Sequence, residues 1–549
     1  LPAARRVPNE IEAPKRTIRP VAVKEVMEDD DSGGAKRGGP GGANMTQLYM
    51  GMFAQDAWRA SSRITVNVGL RWEPFLGQHL INGEISNFSL EKFRAGTKST
   101  VFLNAPAGFS YPGDPGFPEG TSGINKQWWN FSPRAGVAWD VTGDGLTAVR
   151  SSYSLAYDFP IGEYHTINVT SPPFGNRVLL ANPPGGFDNP YGHVGGNPHP
   201  IVTSPTTVFP NDGIFGVLDP EINSPRVQTW NVSVERQLAE DWSASAAYLG
   251  SYSDRLWNKK SLNPGVYMGL GPCTINGVSY PTCSTNANLN NRRVLYLERP
   301  AEAQYIGPLD LYVDAGTKTY RGMKLSFRRR AAGGVSLNGN YTWSRCFGLE
   351  MGSGGGGFDA GYLKPDDPSF DAGYCDQDRK HLSSVTVGYE TPDVGNAVVS
   401  AVASNWRLSG NLTARSGNRL NILSGIDNAF TGIGNQRPDQ VNDDFYPEER
   451  TLTNYFNRAA FAQPAAGTLG NLPRNAVVGP DYWNVNLAIS RLIAVTASQR
   501  LELRVETFNL FNRFNWGNPL TNLNAGTFGR ITTQAGDPRI IQFGIKYDF

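Results

Sequence analysis

The chain has 549 residues with nearly balanced charge, 50 Lys and Arg against 49 Asp and Glu, which gives no electrostatic case for a nucleic-acid partner. It is too long for one ordinary globular core, and it contains no run of about 18 apolar residues that could form a transmembrane helix. Its 62 glycines, 38 prolines, 22 tyrosines and 12 tryptophans, with only 18% charged residues, favour a large sheet.

Residues 1–47 have no hydrophobic period. They hold an acidic run, Glu28 to Asp31, and a glycine-rich stretch from Gly33 to Gly42. No strand precedes these glycines and no Lys-Ser/Thr follows, so a phosphate cradle is not expected. The segment reads as mobile polypeptide, the tail of an extracellular loop. No basic n-region and apolar h-region open the chain, so a secretory leader is expected to lie outside it.

From residue 48 onward apolar and polar residues alternate in short segments. Ile64, Val66, Val68, Leu70 and Trp72 share one face, with Thr65, Asn67, Gly69 and Arg71 on the other. A period of two separates the faces of a β-strand. Thirteen such segments are expected: 48–59, 64–73, 131–141, 148–158, 227–237, 242–252, 319–330, 335–345, 381–390, 405–415, 483–492, 499–509 and 540–549. In the last of them Ile541, Phe543, Ile545, Tyr547 and Phe549 oppose Gln542, Gly544, Lys546 and Asp548.

The connections alternate in length: those after odd-numbered segments are short, those after even-numbered ones long. Outer-membrane barrels sort their connections this way, with short periplasmic turns and long extracellular loops. Arg236, Arg329 and Arg491 continue outward apolar sets just before short links, where a charged head can snorkel to the headgroups. Trp72, Trp139, Trp242, Trp343, Trp406, Trp483 and Tyr547 fall at strand ends, as interfacial girdles require. Arg71, Arg150, Asn338, Asn340, Arg407, Glu502, Arg504 and Glu506 face the other way and give a polar lumen of mixed charge. The fold class expected is therefore all-β, an antiparallel transmembrane β-barrel. Thirteen strands cannot close in the usual even-numbered way, so the expectation is the C-terminal portion, 48–549, of a larger barrel.

Several stretches resemble the Oar-like branch of the TonB-dependent outer-membrane receptors. They are Phe53-Ala-Gln-Asp-Ala-Trp-Arg59 with Leu70-Arg-Trp-Glu73, Asn130 to Asp140, and Gln228 to Leu238. Asn340-Tyr-Thr-Trp-Ser344 with Asp378-Arg-Lys-His381, Leu408 to Gly417, Phe508-Asn-Leu-Phe-Asn512 and Asp537 to Phe543 complete the series. The resemblance spans about Tyr49 to Phe549. It implies a barrel in the bacterial outer membrane, surrounded by lipid and inserted by the barrel-assembly machinery, which would read Phe543, Ile545, Tyr547 and Phe549 as its signal. It also implies uptake of an extracellular substrate, energised by the inner-membrane TonB complex. No plug domain, TonB box or N-terminal sandwich domain is recognisable, so contact with TonB is expected only through a plug this sequence does not contain.

Catalysis has little support. His79, His165, His193, His199 and His381 form no His-Glu-x-x-His pair, and no Gly-x-Ser-x-Gly elbow occurs. No enzyme, cofactor or metal is expected. His193 and His199 read as exposed loop residues rather than metal ligands. Asp359, Asp366, Asp367, Asp371, Asp376 and Asp378 could gather around Ca²⁺, but they lack EF-hand spacing and read as a solvated loop. The four cysteines fall two to a long loop, so Cys273–Cys283 and Cys346–Cys375 disulfides are expected in an oxidising compartment; four unpaired thiols are the alternative. Substrate contact is expected from loops such as 105–130 and 182–226. Two competing readings are a secreted soluble all-β adhesin or carbohydrate-binding protein, recoverable without detergent, and a hydrolase on a β-scaffold.

Overall fold

The computed structural model describes residues 23–27, 43–160, 162–175, 203–350, 359, 361–392, 402–496 and 498–549. Thirteen strands form one antiparallel meander in which each pairs with its neighbours in sequence. They are β1 (Met52–Arg59), β2 (Ile64–Trp72), β3 (Phe131–Asp140), β4 (Thr147–Tyr157), β5 (Arg226–Gln237), β6 (Trp242–Ser261) and β7 (Ile306–Ala332). Then follow β8 (Val335–Leu349), β9 (His381–Glu390), β10 (Trp406–Arg415), β11 (Tyr482–Ala494), β12 (Arg500–Phe508) and β13 (Ile540–Asp548). Each overlaps the segment that the alternation marks.

Pairing register lines the apolar residues into rows across the sheet. Tyr389, Leu408, Ile489, Val505 and Phe543 stand opposite one another on β9 to β13. Val232, Tyr248, Met323 and Trp343 do so on β5 to β8. Every one of these side chains is exposed, Phe543 and Ile545 at 77%. A sheet in water would have to cover such a face; in a bilayer hydrocarbon is its solvent. At the rim of short links Arg329 pairs with Asp241 at 2.7 Å and lies over the Trp242 ring, while Arg491 lies over Trp406. Trp72, Trp343 and Trp483 mark the opposite rim.

The core lies elsewhere. Three apolar clusters are built almost wholly from the long connections and from strand ends that overshoot the membrane. One joins Phe88, Phe93, Phe109 and Phe174 to Phe215 and Leu309. A second holds Phe75, Leu80, Ile85 and Trp257, and a third Tyr455, Phe456, Phe461 and Phe528. The expected loops are thus a folded extracellular cap.

The cap accounts for the departures from the sequence reading. β6 was expected to stop at 252 and β7 to start at 319, but β6 runs on to Ser261 and β7 begins at Ile306, their far ends pairing above the membrane. Gly213–Leu218 adds to β7 as a parallel strand; nearly all of it is buried, so it shows no alternation to read. The segment 48–59 divides: Met45–Tyr49 leaves the wall to pair with Val23–Met27 and with His79–Leu80. Residues 23–27 and 45–47 therefore form ordered pairs where a structureless tail was expected, because pairing with distant partners needs no local period. Residues 1–22 and 28–42 lie outside the described residues.

Candidate functional site

Beneath the cap the inward face of the wall is polar and ion-paired. Arg150 meets Glu235 at 2.6 Å, Arg407 meets Glu390 at 3.3 Å and Arg504 meets Glu506 at 2.5 Å. At the upper rim Arg71 bridges Glu73 at 2.7 Å and donates to the Tyr49 hydroxyl, which in turn donates to Glu73. Charges of both signs line the interior, and such a face is wettable.

The connections that make up the cap are tied to one another by buried ion pairs. Arg293, 2% exposed at its side chain, bonds Asp359 at 2.9 Å, and donates to Asn290 Oδ1 at 2.8 Å and the Asn263 carbonyl at 2.6 Å. Arg437 holds Asp371 at 2.5 Å, Arg474 holds Asp376 at 2.9 Å and Arg419 holds Asp378 at 3.1 Å. Lys260 reaches Asp366 at 3.6 Å, and Asp367 accepts from the Ser369 hydroxyl. The six aspartates considered for Ca²⁺ are therefore dispersed, five of them to cationic side chains. Among the described residues no three His, Cys, Asp or Glu side chains gather as a metal site.

At the root of the cap Asp310 is fully buried, and its Oδ2 accepts from the Asp359 backbone amide at 2.9 Å. Burial, with the neighbouring Asp359 carboxylate, pushes Asp310 up to about 7, while Lys259 draws it down. This folded-state value lies above that of an unfolded aspartate. The stabilising contribution is therefore complete in acid, below the ordinary carboxylate range, and is lost as pH rises through about 7. Asp310→Asn should make protease resistance of the cap less dependent on pH between about 4 and 7. Parallel pH profiles for variant and wild type would contradict this.

The histidines separate. His165 is buried and held down at about 4 by burial. His79 Nδ1 accepts from the Thr121 amide at 3.2 Å, and burial lowers its titration too. His381 Nδ1 bonds the Tyr341 hydroxyl at 2.6 Å; His193 and His199 lie outside the described residues. Cys273 and Cys283 are bonded with Cα atoms 5.2 Å apart, as are Cys346 and Cys375 at 5.4 Å. The second pair ties β8 to the loop before β9. Protein denatured without reductant should take up no thiol label, and each bond should stabilise its loop by about 2–4 kcal/mol; labelling before reduction would disprove the pairing.

The loops expected to meet substrate differ from that expectation in part. Ala105, Ala107, Phe109 and Tyr111 are buried in the cap, because a loop of this length with several aromatics folds on its own apolar residues. Its last residues, Trp128 and Trp129, stay exposed, Trp129 at 82%. Residues 182–202 lie outside the described residues.

An amphipathic antiparallel wall with an apolar exterior, polar interior and folded connections on one rim defines a bacterial outer-membrane β-barrel. The chain belongs to the outer membrane beta barrel domain family, whose model matches residues 15–542. No curated protein matches it by sequence. Among solved structures it is similar to the ferripyoverdine receptor of the outer membrane of Pseudomonas aeruginosa bound to ferripyoverdine, with 10% identity, a TM-score of 0.42, and coverage of 92% of this chain and 39% of that one. The FrpB iron transporter from Neisseria meningitidis gives 10%, 0.40, 92% and 46%. The outer membrane transporter YddB from Escherichia coli gives 9%, 0.43, 92% and 47%. The chain spans less than half the length of each.

Proposed function

We propose that this chain is the C-terminal wall and ligand-facing cap of a receptor of the TonB-dependent, Oar-like type, which captures an extracellular substrate and passes it inward. The observation that carries the reading is the cap itself: long connections, all on one rim, folded into an ion-paired body above a lumen of mixed charge. Recognition needs such a platform, because loops held by a rigid scaffold can present fixed contacts.

The wall also favours a larger assembly. β1 and β13 occupy the two ends of the meander. Both end at the rim of short links, so they run in the same direction and cannot close on each other antiparallel. An unpaired strand edge is costly in hydrocarbon, and an odd number of further strands would seal it. We assign none of the described residues to a plug; the TonB complex would act through a plug domain, and the insertion machinery through β13. A soluble adhesin would have to bury the outward rows described above.

Cells expressing the whole gene, offered labelled metal chelates, peptides and oligosaccharides, should accumulate one of these classes, and collapse of the proton-motive force should stop accumulation without stopping surface binding. Accumulation that survives the collapse, or no binding of any class, would overturn the reading.

A further inference from the structure

A groove of about 470 Å³ opens on the outer, lipid-facing wall where β6, β7 and β8 meet, lined by Ala246, Tyr248, Met323 and Trp343 and topped by Arg321 and Arg345. The four lower residues are apolar or aromatic, and Tyr248, Met323 and Trp343 are exposed. Arg321 and Arg345 stand directly opposite each other in the register of β7 and β8. Like charges placed so repel, and more strongly beside hydrocarbon than in water. Among the described residues neither forms an ion pair: Arg345 donates only to the Tyr374 hydroxyl, at 2.7 Å, and lies against that ring.

Height decides what could neutralise them. Arg329, beside Trp242, marks the periplasmic rim of the same strand face. Arg321 lies eight residues farther along β7, about 26 Å along the strand at roughly 3.3 Å per residue. At a tilt of 35–45° this is about 19–21 Å along the membrane normal, near the top of an apolar band about 25 Å tall. The pair therefore sits near the top of the apolar band, where long arginine side chains can reach up to the headgroups of the outer leaflet, with the apolar groove beneath it at acyl-chain depth.

We propose that this groove binds a phosphorylated glycolipid of the outer leaflet, its phosphate held between Arg321 and Arg345 and one acyl chain lying over Met323 between Tyr248 and Trp343. Guanidinium forks match phosphate oxygens with two parallel hydrogen bonds each, and one anion relieves the repulsion between both arginines. On the other flank Gly250, opposite Arg321 on β6, makes room for the Trp230 indole, which lies 2.3 Å from where a Cβ would stand and walls that side of the groove. The site faces away from the lumen, touches the cap only through the Arg345–Tyr374 contact, and stands whether or not the uptake reading does.

The test uses protein extracted from outer membranes in mild detergent and titrated with bis-phosphorylated lipid A, dephosphorylated lipid A, phosphatidylcholine and inorganic phosphate. Bis-phosphorylated lipid A should bind, and Arg321→Gln with Arg345→Gln should weaken it by about tenfold or more. Met323→Trp, which fills the groove and leaves both charges, should weaken it as well, and the double lysine variant should retain part of the affinity. If the double glutamine variant does not fold, Arg321→Gln alone and Met323→Trp carry the comparison. Equal binding of the dephosphorylated lipid, unchanged affinity in these variants, or inorganic phosphate binding as tightly as the lipid would overturn the proposal.

Discussion

Arg293→Ala should destabilise the extracellular cap by about 3–5 kcal/mol, the cost of removing one partner of a buried ion pair. Three groups lose their donor together: the Asp359 carboxylate, the Asn290 side chain and the Asn263 carbonyl. Asp359 is already raised by burial and is drawn down chiefly by Arg293, so without that guanidinium its charged form becomes costlier. Asp310 lies one hydrogen bond away, so the disturbance reaches the root of the cap where β6 and β7 leave the membrane. Native-state proteolysis should show faster cleavage in the cap, with the wall intact. Arg293→Ala combined with Asp359→Ala should recover part of the loss, since no buried charge is then left alone. A single variant within about 0.5 kcal/mol of wild type would contradict this.

Removing Tyr547 to Phe549 should abolish accumulation in the outer membrane. β13 pairs with β12 along Ile540 to Asp548, with Tyr547 opposite Leu501 and Phe543 opposite Val505. It stands at the end of the meander with its other edge unpaired among the described residues, and a free edge is a template for adding another strand. Tyr547 and Phe549 stack at 6.1 Å, Phe549 at 94% exposure, and with Phe543 and Ile545 they form one continuous apolar face. An insertion machinery that pairs with this edge would use that face for register. Phe549→Ala should reduce the membrane-assembled fraction less than the deletion does. Truncated protein assembled at the wild-type level would show that these residues are not the signal.

The wall was legible in the sequence because its solvent imposes a period. Lipid on one side and water on the other force alternation at every second residue, as in Leu501, Leu503 and Val505 on β12, and no tertiary partner is needed to see it. The cap obeys no such rule. Phe93, Phe215 and Leu309 share one core but come from two separate connections and the overshooting end of β7, so nothing local marks them as neighbours. The ion pairs were hidden for the same reason: Arg293 and Asp359 are 66 residues apart. Read alone, the aspartates of 359–378 form an acidic cluster; folded, most of them are counter-ions. Arg321 and Arg345 were also missed, since each continues an outward apolar set well short of the strand's short-link end, and only the pairing register reveals that they oppose each other.

Single spin labels at successive positions from Met323 to Phe327 on β7, in protein reconstituted into liposomes, test the transmembrane assignment most directly. Collision with oxygen, which concentrates in hydrocarbon, should peak at Met323, Leu325 and Phe327. Collision with a water-soluble nickel chelate should peak at Lys324 and Ser326. Nickel access equal at all five positions, or no alternation in oxygen access, would show that this face meets water or protein rather than lipid.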